Sequence, residues 1–109
     1  MEAVARIKQA LADQGKPMDA AALAAAEVVV QREDANGDPV KVRRRAMVEV
    51  SPEDIAAVCQ PLAADDKIAA ALFKGSTRVL VDAERAEQER PPMVAVQVSD
   101  VLHVLALVG

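Results

Sequence analysis

The chain is predicted to fold as an α+β domain, a small antiparallel β-barrel or sandwich of about five strands with an N-terminal helix and one or two short inserted helices. Two stretches carry that prediction. Over residues 28–50 the apolar run Val28-Val29-Val30 is followed by turn residues Asp34-Ala35-Asn36-Gly37-Asp38-Pro39 and then a strict alternation. Val40, Val42, Ala46, Val48 and Val50 share one face of that alternation, and Lys41, Arg43, Arg45 and Glu49 the other. A period of 2 fits a half-buried strand and not a helix. Over residues 93–108 a second hairpin is expected, with Ser99-Asp100 at its turn. Its last arm is apolar on both faces and requires cover from a helix or another subunit. A closed barrel would also remove the exposed edges of a valine-rich sheet.

With 109 residues the chain is read as a single domain, 1–109, whose core should hold without disulfides or metal. Its first part, 1–27, is expected to be helical. Val4, Ile7 and Leu11 form one stripe over residues 2–14, with Gly15 placed to end that helix and Lys16-Pro17 to stop it. Asp19 is placed to cap a short alanine-rich helix over 20–26. The remainder, 28–109, is expected to form the barrel. Ser51-Pro52-Glu53-Asp54 carries helix-start signals, and Pro61 keeps the helix it opens short. Asp65 and Asp66 offer a cap for a helix over 67–74, closed by Gly75. Residues 77–83 alternate and read as a strand, and 84–92 as a charged, mobile loop.

Composition excludes several functions. Phe73 is the only aromatic residue, so ring-based platforms for bases, sugars or quaternary amines are not available. A net charge of −4 argues against a dedicated nucleic-acid binder. Cys59 is alone, is flanked by Ala57 and Val58, and reads as a buried small hydrophobe. No leader-like segment and no apolar run long enough to cross a membrane is expected, which suggests a soluble protein of the cell interior.

Chemistry-bearing motifs are sparse. His103 sits in the most apolar segment and reads as packing, because no Ser or Cys nucleophile is recognisably paired with it; a Cys59/His103 dyad would need a proximity that the sequence does not predict. Asp34, Asn36 and Asp38 resemble a calcium loop but lack its terminal bidentate Glu, so they read as a turn. No phosphate-binding loop, dinucleotide fingerprint or zinc spacing occurs, and neither a cofactor nor an enzymatic activity is expected. The candidate contact residues are therefore charged ones. Lys41, Arg43 and Arg45 form a basic row that reads equally as a contact surface for phosphate or an acidic neighbouring subunit and as a solvated strand face that discourages edge pairing. Arg44 is turned the other way, towards a carboxylate such as Asp82 or the rim of the barrel. Glu84, Arg85, Glu87, Glu89 and Arg90 lie on the charged loop.

The order of these elements resembles small head-tail joining proteins of tailed bacteriophages, the head-closure or stopper proteins of the neck. The resemblance covers about residues 28 to 108. It is carried by Val28-Val29-Val30-Gln31-Arg32, the strand over 41–50, Thr77-Arg78-Val79-Leu80-Val81-Asp82-Ala83 and the closing segment from Val94 to Leu105. It departs at Ser99-Asp100, where a glycine-rich turn is common, and in lacking an aromatic in the last strand. The resemblance implies a structural virion protein, a ring-forming subunit between portal and tail that helps to retain packaged DNA. Its implied partners are other copies of itself, other head-tail joining or tail proteins, and DNA passing non-specifically through the ring. The alternative is a small protein–protein interaction or regulatory domain acting through an open β-edge or the first helix.

Overall fold

A computed structural model describes residues 2–33, 35–86 and 89–109. It shows five α-helices and four short strands: α1 (Glu2–Asp13), α2 (Ala20–Glu27), β1 (Val28–Glu33), β2 (Pro39–Arg43), β3 (Met47–Val50), α3 (Pro52–Cys59), α4 (Lys67–Ala86), β4 (Val94–Gln97) and α5 (Val98–Val108). The strands form two separate antiparallel ribbons, β1 with β2 and β3 with β4. The barrel or five-strand sandwich expected from the sequence is not formed.

The helix starts and stops are local chemistry. Gly15, at φ 65°, terminates α1: its N–H reaches Ala12 O (3.1 Å) and that of Lys16 reaches Leu11 O (2.8 Å). That pair of bonds needs a left-handed residue, which glycine supplies without a Cβ clash. Asp19 Oδ1 accepts the Ala22 N–H at 2.7 Å and opens α2. Pro52 occupies the first turn of α3, and Asp66 Oδ1 accepts the Ala69 N–H at 2.9 Å to open α4.

Ala3, Ile7 and Leu11 of α1 point into a core shared with Val48 and Val50 of β3, Ile55, Val58 and Cys59 of α3, Ala69 and Leu72 of α4, Val96 of β4 and Val98, Val101 and Val104 of α5. Arg6 ties α1 to α3 by donating to the buried Asp54 carboxylate at 2.8 Å. Gln14 closes an edge. Its carboxamide donates to Glu49 O (2.7 Å) and accepts from Glu49 N (3.0 Å), so a side chain takes the place of a third strand beside β3.

Three expectations are corrected here. The alternation over 40–50 is not one strand: residues 44–46 leave the extended ladder, and β3 pairs with β4 instead (Met47 opposite Gln97, Val50 opposite Val94). Residues 77–83 are helix, because α4 runs on through Gly75 and buries Ala69, Leu72 and Ser76 at helical spacing. Residues 98–108 are also helix; Val98, Val101, Val104 and Leu105 face the core, and Ser99-Asp100 is its first turn rather than a hairpin loop. In both segments tertiary burial at a 3.6 period outweighs the strand preference of β-branched residues.

Gly75 lies on the exposed face of α4, and a Cβ built there meets nothing within 4 Å. Gly75→Ala is therefore expected to stabilise the protein by about 0.5–1 kcal/mol, raising the thermal midpoint by roughly 3 °C in a calorimetric scan. A destabilised variant would contradict a continuous α4.

Candidate interaction site

The β1–β2 ribbon projects from the body as an arm. Val28 pairs with Arg43, Val30 with Lys41 and Gln31 with Val40, with an irregularity between Gln31 and Glu33. Gly37, at φ 83°, makes the turn. Among the described residues the arm packs appreciably only against α2, at its root. The radius of gyration is 16.3 Å and the extents are 52 × 33 × 26 Å, whereas a compact chain of this length has a radius of about 13 Å.

One buried carboxylate holds the root. Glu27, 3% exposed at the end of α2, accepts the Ala46 N–H at Oε2 (3.1 Å) and faces Arg43 Nη2 at Oε1 (3.3 Å). Its own carbonyl accepts the Arg44 N–H at 2.8 Å. These bonds bend the chain at 44–46 and send β3 to a different partner. The Arg43 guanidinium is 76% exposed, so its ion pair adds little, and the backbone bond to the buried carboxylate carries the anchoring.

The basic row expected on one continuous strand face is divided where β2 ends. Lys41 and Arg43 share a face of β2, Arg45 follows in the link to β3, and all three are exposed. Arg44 is also exposed, in that link rather than on a buried strand face. Val28 and Val40, 52% and 40% exposed, add apolar surface to the arm.

The expected charged loop is reorganised. Glu84 and Arg85 belong to the last turn of α4, and Glu87 lies outside the described residues. Glu84, Glu89 and Arg90 come together with Glu53, Pro91 and Pro92 around a shallow depression of about 310 Å³. Arg85 turns to a different side of α4, where it borders a depression shared with Lys74 and Arg78. Sequence reasoning missed Glu27, whose role rests on contacts 16 to 19 residues away.

His103 is half-buried, and its Nε2 lies 2.8 Å from Asp66 Oδ2. The Ala69 N–H and the His103 ring hold the Asp66 carboxyl below its ordinary range. Cys59 is fully buried, and burial together with the Asp66 charge pushes its thiol up to about 11. A thiol so disposed is protonated at neutral pH and is no nucleophile. Because the folded value lies above the unfolded value of 9.0, the neutral thiol contributes stability that is complete below pH 9 and lost as pH rises towards 11. In urea titrations the advantage of wild type over Cys59→Ala is thus expected to shrink between pH 9 and 11; a constant difference would place the thiol in contact with water.

Beside His103 an apolar groove of about 600 Å³ runs between α1, α2 and α5, walled by Met18, Leu23, Leu102 and Leu105 with Lys8 at its rim. Among the described residues no three His, Cys, Asp or Glu side chains converge as a metal site requires. Asp34 of the calcium-like turn lies outside the described residues. No described helix is long and apolar enough to cross a membrane.

Fold and site together define an α+β protein with a helical body and a projecting two-stranded arm. No family model, curated protein or solved structure matches the chain.

Proposed function

We propose that the protein is a non-enzymatic assembly subunit that attaches to its partner through the β1–β2 arm. The supporting observation is the arm itself. A two-stranded ribbon is marginal in water unless a further strand or a packed face covers it, and this one bears basic and apolar side chains while being held at its root by a buried carboxylate. Partner strands add to such edges by main-chain hydrogen bonds, with side chains at alternate positions supplying selectivity.

The test is arm excision. Replacing residues 29–42 by Asn-Gly joins Val28 to Arg43, which already face each other, through a turn suited to a tight hairpin. The shortened chain is expected to keep its helical circular dichroism and cooperative melting but to lose co-sedimentation with the assembly that wild type joins in its own cell. Equal sedimentation of both chains would overturn the proposal.

A subunit of a phage neck ring is a narrower form of the same proposal. An elongated subunit with an arm able to reach its neighbour suits a head-to-tail contact, which closes into a ring when the rotation permits. Electron micrographs of the purified protein with a portal complex would show rings if this form holds, and isolated monomers if it does not.

A further inference from the structure

We infer that the outer face of α4 binds the phosphate backbone of double-stranded nucleic acid, independently of sequence. Lys67, Lys74, Arg78 and Arg85 are all exposed on this 20-residue helix. At 3.6 residues per turn they fall within an arc of about 40°, spaced along the axis by about 10, 6 and 10 Å over a span of about 27 Å. Lys74, Arg78 and Arg85 border one shallow surface depression, which confirms their common side.

The arrangement is costly for an ordinary solvated helix. Lys74 and Arg78 are a like-charged i, i+4 pair, which destabilises a helix. Lys67 places a cation at the N-terminus, against the helix dipole. Only Asp82 interrupts the row, and it pairs with none of these cations among the described ion pairs. A chain of net charge −4 has thus gathered four cations into one line.

The flanking residues select the ligand. Ala70, Ala71, Gly75 and Thr77 lie on or beside the row and permit close approach to a flat anionic surface. A membrane-surface helix needs a wide apolar face beside its cations, and a stable protein interface needs a buried aromatic or aliphatic anchor. Here Val81 is the one exposed large apolar side chain on α4, and Phe73, which lines the same depression, is half-buried against the core rather than presented as an anchor. Phosphate contacts need neither of those features.

The experiment measures fluorescence anisotropy of a labelled DNA duplex of about 25 base pairs as salt is raised from about 20 mM. Four phosphate contacts give a slope of log K against log salt of about −3.6, and Lys74→Gln with Arg78→Gln reduces it to about −1.8. Affinity of that double variant at about 50 mM salt is expected to fall tenfold or more, with unchanged circular dichroism and equal binding to two unrelated duplex sequences. The control is Lys8→Gln with Lys16→Gln, outside both α4 and the arm, which removes the same charge. No binding at low salt would overturn the inference, as would an equal loss in the control variant. So would binding to phosphatidylserine vesicles without binding to duplex.

Discussion

Ile55→Ala is expected to lower the unfolding free energy by about 3 kcal/mol, within the range of 2–5 seen for large-to-small substitutions at fully buried sites. Ile55 is 0% exposed on α3, the helix that packs against both α1 and α4. It shares the core with Ile7, Leu11, Val58 and Leu72. Deleting its branched side chain leaves a void bounded by elements that cannot collapse together, because α1 is fixed to α3 through Arg6 and Asp54 and to β3 through Gln14. Ile55→Val, which removes one methylene, is expected to cost about 1 kcal/mol. Denaturant midpoints at constant m-value check both figures. A loss below about 1 kcal/mol for the alanine variant would mean that α3 is not central to the core.

Glu27→Leu is expected to cost about 1–3 kcal/mol by a different route. The substitution keeps the bulk but strands the half-buried Ala46 N–H without an acceptor and releases Arg43. Its effect should be concentrated at the root of the arm. Amide exchange at Ala46 is expected to accelerate strongly, while exchange at Val48 and Val58, in the body, changes only with global stability. Glu27→Gln retains an acceptor for Ala46 and is expected to fall between Leu and wild type. Equal exchange at Ala46 in all three proteins would show that the carboxylate does not anchor the arm.

The parts of this fold that were legible in the sequence depend on near neighbours. Gly15 after α1, Asp19 before α2, Pro52 in the first turn of α3 and Asp66 before α4 act through backbone groups within a few residues, so their identities suffice to place them. The arm was legible for the same reason, since Gly37 and its polar neighbours make a turn between two valine-containing runs. Residues 77–83 were not, because seven residues with Thr77, Val79 and Val81 at alternate positions fit a strand as well as two turns of a helix. Only the longer window that includes Ala69, Leu72 and Ser76 separates the two, and Gly75 disguises the continuity. The row Lys67, Lys74, Arg78 and Arg85 carries the same helical period and was the missed signal.

The last segment misled through its valines and leucines, which are apolar in every direction; Val98, Val101, Val104 and Leu105 become one face only when wound as α5. Within the basic cluster, three consecutive arginines at 43–45 cannot all lie on the wet face of one strand, and that conflict marks the break between β2 and β3. Of the charged candidates, Lys41 and Arg43 stay on β2 and Arg45 falls in the link that follows it. Glu84 and Arg85 separate because adjacent helical positions differ by about 100° and so face different depressions.

Attachment through the arm is tested most directly by a photo-crosslinking residue at Val40, on the exposed part of β2, compared with one at Ala57 on the exposed side of α3. Irradiation in the native cell is expected to yield one discrete crosslinked product from position 40 and none from position 57, with the product abolished by Lys41→Glu and Arg43→Glu. Discrete products from position 57 with none from position 40 would contradict attachment through the arm.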